Sequence, residues 1–132
     1  MPEDRFETGM RIRREVLGDA HVDKTETQKT DFESDFQRFI TETAWGNVWA
    51  RPGLDRPVRH LLTIALLAAL GKERELALHI RATQNTGVTP EQIEEALLQV
   101  AIYAGIPAAN TAFGIAKQIY AERDKALEKE EK

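Results

Sequence analysis

The chain has 132 residues, room for one domain, since domains commonly run ~100–150 residues. Hydrophobic residues make up 42% and charged residues 30%, a balance that excludes a largely disordered chain. Lys and Arg number 18 against 22 Asp and Glu, a net charge of −4 that argues against nucleic acid, and the absence of cysteine removes disulfides, iron–sulfur clusters, thiolate zinc sites and thiol redox chemistry together.

The longest apolar stretch, Leu61 to Leu70, broken only by Thr63, is half of the ~20 residues a membrane span needs. The start, Met1-Pro2-Glu3-Asp4-Arg5, is charged and lacks the apolar core of a signal peptide. A cytoplasmic location is expected.

Helix signals dominate in chain order. Arg5 to Leu17 carries Phe6, Met10, Val16 and Leu17 among charges, and Gly18 offers a stop. Residues 18–30 are polar and read as a connector. A second helix is expected from Asp31 to about Trp45, with Phe32, Phe36, Phe39 and Ile40 on one face and Thr30 and Glu33 as a capping box. Trp45 to Leu54 reads as an aromatic, turn-rich loop punctuated by Pro52-Gly53. A third helix starts near Asp55 and stops at Gly71; apolar nearly all round, it is either a central core helix or part of a subunit interface. A fourth runs from Lys72 to Thr86 and ends at Gly87. The fifth opens on Thr89-Pro90-Glu91-Gln92, an N-cap, an N1 proline and a capping-box Gln, and breaks at Gly105-Ile106-Pro107. The sixth begins at Ala108, and residues 121–132 form a charged tail, either a solvated helical end or disordered. No strand alternation, internal repeat or long linker interrupts the chain, so the expectation is a single all-α domain over residues 1–132 with about six helices.

The glycines form no phosphate loop, and Ser34, the sole serine, lies in no nucleophile elbow. His21, His60 and His79 are too far apart in sequence to resemble a short metal-ligand motif, so no metal is expected. His79 stands out because Lys72, Glu75 and His79 share one helical face. Glu75 can then fix the imidazole tautomer for proton transfer, although a surface Glu–His pair has the same spacing. Arg51, Arg56, Arg59 and Arg81 lie near turns and offer planar forks to an anionic ligand, or are solvated surface charges. Trp45, Trp49 and Tyr103 are core or interface aromatics, or ligand walls.

Seven segments together bring a family into view. They are Asp19-Ala20-His21-Val22, Ala44-Trp45-Gly46, Trp49-Ala50-Arg51-Pro52-Gly53-Leu54, Leu61 to Ala65, Leu78-His79-Ile80-Arg81-Ala82, Asn85 to Thr89, and Ala101 to Asn110. With them the chain resembles the carboxymuconolactone decarboxylases of the alkylhydroperoxidase-like superfamily. The Trp-x-Arg-Pro-Gly-Leu and Tyr-x-Gly-x-Pro-Ala-Ala-Asn segments are the specific ones. The resemblance implies an all-α alkylhydroperoxidase-like fold assembled as a hexamer, a trimer of dimers. It implies cofactor-free decarboxylation of an anionic lactone, 4-carboxymuconolactone, to β-ketoadipate enol-lactone in protocatechuate degradation. The redox relatives' Cys-x-x-Cys falls at Lys72 and Glu75, which excludes thiol peroxidase chemistry, and their upstream acidic residue falls at His60. Two positions depart from the decarboxylase pattern: Ala104, where Cys is expected, and Gly114, where His is expected.

On this reading His79, oriented by Glu75, donates the proton. Arg51 and Arg81 anchor carboxylates, and Arg59 anchors a carboxylate or meets the enolate oxygen. Trp45 and Tyr103, with the apolar helices, exclude water. The competing expectation is a non-redox helical oligomer that binds or transforms another small carboxylate.

Overall fold

The computed structural model describes residues 4–131. Met1 to Glu3, part of the charged start, lie outside the described residues, as does Lys132 at the end of the tail. Among the described residues there are eight α-helices, one π-helical segment and no strand, in keeping with an all-α chain. The helices are α1 (Arg5–Leu17), α2 (Asp19–Gln28), α3 (Ser34–Ile40), α4 (Arg56–Ala69), α5 (Glu73–Arg81), α6 (Thr83–Thr86), α7 (Pro90–Tyr103) and α8 (Ile106–Glu131), and the π-helical segment is Thr41–Trp49. The chain divides into two compact units, Met1–Arg59 and His60–Lys132.

In the first unit, the Asp4 carboxylate caps α1 by accepting from the Phe6 amide at 2.9 Å. Gly18 takes a φ of 93° and turns the chain directly into α2. Most of the expected connector, Asp19 to Gln28, is therefore a helix, and only Gly18, Lys29 and Thr30 stay outside it. Val22 is the only buried residue of α2, too little apolar periodicity to announce a helix. Polar links fasten it instead: Arg14 on α1 reaches Asp19 at 3.1 Å and Asp23 at 2.8 Å.

The expected helix from Asp31 to Trp45 begins later, at Ser34, and changes type at Thr41. The Glu33 carboxylate accepts from both the Thr30 amide and the Thr30 hydroxyl at 2.6 Å, which holds its pKa below the usual carboxylate range. Of the aromatic stretch expected as a loop, Trp45 to Trp49 is π-helical, and residues 50–54 form the expected turns. Trp45 turns inward and packs with Ile12 and Val16, while Trp49 stacks on Trp45 with ring centroids 4.8 Å apart. The buried Arg13 guanidinium crosses from α1 to donate to Thr41 Oγ1 at 3.3 Å and to Gln37 Oε1 at 3.2 Å. Burial lowers its pKa.

Two glycines let α1 lie against the π-helix. A Cβ at Gly9 would run into the Thr41 carbonyl oxygen, and one at Gly46 into that of Arg5. These obstacles are backbone and cannot swing aside.

In the second unit, α4 buries His60, Ile64 and Ala68 and exposes Leu62 and Leu66, with the exposed Leu70 just past its end. The helix that reads as apolar all round thus has one covered and one open face. The predicted fourth helix is divided at Ala82 into α5 and α6, and Gly87, at φ 85°, ends the latter. The capping box of α7 is fully formed: Thr89 Oγ1 accepts from the Gln92 amide at 3.2 Å, and Gln92 Oε1 accepts from the Thr89 amide at 3.0 Å. Ile64, Leu76, Ile80, Ile93, Leu97 and Ile119 form the core of this unit. α8 starts two residues before the expected Ala108 and continues to Glu131, so residues 121–131 are helical.

Overpacking against rigid atoms costs ~1–3 kcal/mol. Gly9→Ala is therefore expected to lower unfolding free energy by about 2 kcal/mol or more, read from urea midpoints. An unchanged midpoint would show that α1 and the π-helix can separate at no cost.

Candidate functional site

The second unit gathers its histidines. His60 is fully buried on α4. Its Nδ1 lies 2.6 Å from Thr86 Oγ1 at the end of α6, and its Nε2 lies 3.1 Å from His79 Nδ1 on α5. The two rings meet edge to face at 68°, with centroids 5.3 Å apart. Burial, reinforced by the neighbouring His79, pushes the His60 pKa down to about 4, so His60 is neutral near pH 7. His79 is half-buried and presents its second nitrogen, Nε2, on the opposite side of its ring.

The end of α5 is clamped. Thr83 Oγ1 donates to the Ile80 carbonyl at 2.6 Å. One nitrogen of Arg123, from α8, lies 3.1 Å from the Ile80 carbonyl, 3.3 Å from that of Arg81 and 3.3 Å from Thr83 Oγ1. A guanidinium on the last carbonyls of a helix also opposes the negative end of its dipole. The junction that carries His79 on one side and Thr86 on the other is thereby fixed.

The first unit contains a cleft of about 430 Å³ lined by Arg11, Arg51, Arg56 and Arg59 together with Thr8, Trp49 and Leu54. Glu15 bridges two of these arginines, reaching Arg56 at 2.6 Å and Arg11 at 3.5 Å. Arg56 holds the Glu15 carboxyl below its ordinary pKa. Arg59 donates to the Arg51 carbonyl at 3.3 Å, so one arginine steadies the loop that carries another. A cleft with four guanidiniums and a tryptophan suits a flat anion.

The sequence-predicted residues fall into distinct places. Arg51 and Arg59 line one cleft. His79 is hydrogen-bonded to His60. Glu75, expected to orient His79, is exposed on α5, and the Nδ1 of His79 meets His60 instead. Arg81 is exposed and lies 3.8 Å from Glu122 on α8. Trp45 is a core aromatic of the first unit, and Tyr103 is 82% exposed at the end of α7. Sequence reasoning assigned no role to His60, Thr86, Arg11 or Arg123. The His60 partners lie 19 and 26 residues away, beyond any local spacing rule. Among the described residues no group of three or more His, Asp or Glu is placed to hold a metal ion, and no helix is long and apolar enough to cross a membrane.

Residues 34–118 match the model of the carboxymuconolactone decarboxylase family. The chain belongs to this family. It is 46% identical over 127 residues to 4-carboxymuconolactone decarboxylase of Acinetobacter baylyi, covering 96% of this chain and 95% of that protein. It is 45% identical over 102 residues to nitrosuccinic acid decarboxylase npaB of Metarhizium robertsii, covering 77% of this chain and 71% of the relative. A Paracoccus denitrificans protein described as an uncharacterized 15.0 kDa protein is 35% identical over 87 residues, covering 64% of this chain and 65% of that protein. The matched family region holds both the histidine pair and three of the four cleft arginines. Both departures from the expected pattern are sterically open: Ala104 is exposed, and a Cβ at Gly114 would meet nothing within 4 Å.

The buried histidine sets an acid limit on stability. Its folded pKa lies below the 6.5 of an ordinary histidine, so from about pH 6.5 down to about 4 the unfolded chain takes up a proton that the folded chain refuses. Stability should fall with pH through that window, by about 3 kcal/mol in all, and be insensitive to this residue above it. Urea unfolding of the parent and of His60→Gln across the window measures the difference. An equal acid loss in both would assign it to other groups.

Proposed function

We propose that this chain is a carboxy-lyase that converts 4-carboxymuconolactone to β-ketoadipate enol-lactone, without a cofactor, in the cytoplasmic degradation of protocatechuate. The observation that carries the reading is the 46% identity, along nearly the whole of both chains, to a relative of that name. The histidine pair and the arginine cleft supply chemistry that the reaction can use.

The lactone is its own electron sink. As the carbon–carbon bond to the γ-carboxylate breaks, CO₂ leaves and its bonding pair moves through the ring double bond to the lactone carbonyl. The resulting dienolate takes one proton at the α-carbon, which balances the charge of the lost carboxylate. The enzyme must hold the carboxylates, stabilise the enolate oxygen and deliver that proton. The proposed proton donor is His79. Arg51 and Arg81 are proposed to anchor carboxylates, and Arg59 to anchor a carboxylate or stabilise the enolate oxygen. Trp45 acts from the core by holding the π-helix that leads to Trp49 and Arg51.

We further propose that the chain works as a homohexamer, a trimer of dimers. Val58, Leu62 and Leu66 form an exposed apolar stripe along α4 that Leu70 continues just past its end, and Ile102, Tyr103 and Ile106 are also exposed. Apolar surface of this extent is a feature of subunit contacts. Tyr103 would then exclude water only when a neighbouring copy covers it.

A second reading is favoured by the 45% identity to the nitrosuccinic acid decarboxylase: the same machinery could act on another small carboxylate. Turnover decides between them. 4-Carboxymuconolactone, generated in place by its cycloisomerase, should release CO₂ on addition of the protein, with a chelator present or absent. No turnover, with CO₂ released from nitrosuccinate instead, would overturn the first reading.

A general acid is worth ~10²–10⁴ in rate. His79→Gln is therefore expected to lower kcat by about 10²–10⁴-fold with KM little changed; a parental kcat would remove His79 from the reaction. Sedimentation should give six copies of the 14.9 kDa chain, and a species near 14.9 kDa at micromolar concentration would refute the hexamer.

A further inference from the structure

The reading above makes His79 an acid, and the present inference rests on it. An acid imidazole carries a proton on both nitrogens, so each needs an acceptor or water. His79 Nδ1 meets His60 Nε2 at 3.1 Å. We propose that His60 is a positioning residue: anchored through Nδ1 on Thr86, its neutral ring accepts from His79 Nδ1–H and so reserves the Nε2 proton of His79 for transfer.

The geometry allows two directions for the chain of hydrogen bonds. In one, His79 Nδ1–H donates to His60 Nε2, and His60 Nδ1–H donates to Thr86 Oγ1. In the other, the Thr86 hydroxyl donates to His60 Nδ1, and His60 Nε2–H donates to His79 Nδ1. Only the first is compatible with a charged His79, whose Nδ1 cannot accept. Deep burial keeps His60 from taking up the proton itself. The anchor is firm, because Thr86 is buried at the end of α6 and Thr86 Oγ1 lies 2.6 Å from the ring.

The consequence is economical in protons. When His79 Nε2 gives its proton to the α-carbon, the ring is left neutral with its remaining proton on Nδ1, still donating to His60. No ring flip and no change of tautomer is needed, and a proton from solvent at Nε2 restores the acid. This is the work that a buried carboxylate does behind a catalytic histidine in other enzymes, done here by a neutral acceptor that does not make the pair anionic.

Three variants and one spectrum test it. His60→Leu removes the acceptor at similar volume, Thr86→Val removes the anchor, and His60→Gln offers a carbonyl oxygen near the position of Nε2. With ¹⁵N-labelled histidine, the parent should show a scalar coupling between His79 Nδ1 and His60 Nε2, with the proton resident on His79 Nδ1 in its charged form. Outer residues that orient a metal-bound imidazole are typically worth ~10–100-fold, and the same scale is expected for one that orients an acid. His60→Leu should lose about 10–100-fold in kcat with KM little changed, Thr86→Val should lose part of that, and His60→Gln should recover most of it. If His60→Leu does not fold, Thr86→Val carries the test. Parental kcat in the folded acceptor and anchor variants would overturn the proposal, as would a proton resident on His60 Nε2 while His79 is charged. If the parent releases no CO₂ but shows the coupling and the proton on His79 Nδ1, the decarboxylase reading fails while the hydrogen-bond arrangement stands.

Discussion

A buried imidazole is tolerated only if each nitrogen meets a partner of the opposite hydrogen-bonding sense. His60 imposes that condition on α4, α5 and α6 at once. α5 must present His79 to one nitrogen, and α6 must end so that Thr86 reaches the other. The chain breaks at Ala82, between His79 and Thr86, and the left-handed Gly87 ends α6 directly after Thr86. The isoleucine and leucine core of the second unit surrounds this polar interior and keeps its dielectric low, which is why the imidazole stays neutral.

The first unit is organised around a close backbone approach. A π-helix is wider than an α-helix and rare beyond a single turn. Here Gly9 and Gly46 remove the side chains that would hold it off α1, and Arg13 ties α1 to Thr41 of the π-helix and to Gln37 of α3. The wide turns carry Trp45 into the core and leave Trp49 beside the arginine cleft. Glu15 balances the charge of that cleft only in part, which preserves its attraction for anions while limiting mutual repulsion among the guanidiniums.

Local signals were legible and long-range ones were not. Thr89-Pro90-Glu91-Gln92 announced the start of α7 because both halves of a capping box lie within four residues. Gly71 and Gly87 marked stops because their backbone conformations suit glycine. α2 was invisible because polar bonds from Arg14, and not an apolar stripe, fasten it. The π-helix is not legible as one element: Thr41 to Ala44 read as the end of an α-helix and Trp45 to Trp49 as a loop, because no hydrophobic period marks the change. At the site, His79 and the arginines near Trp49 could be singled out from neighbours in sequence. Only the resemblance marked His60, at the relatives' acidic position; spacing did not, because its meaning lies in Thr86 and His79, each contributed by a different helix.

The last helix has two sections of unequal importance. α8 has 26 residues, a rod of about 39 Å. Arg123 is bolted to the end of α5, while residues 124–130 are exposed. Fusion partners or affinity handles can therefore be grafted beyond residue 124 without disturbing the histidines. A protease that trims back through Arg123 would instead unfasten α5 from a distance. The acidic and basic tail is a handle at its tip and a latch at its root.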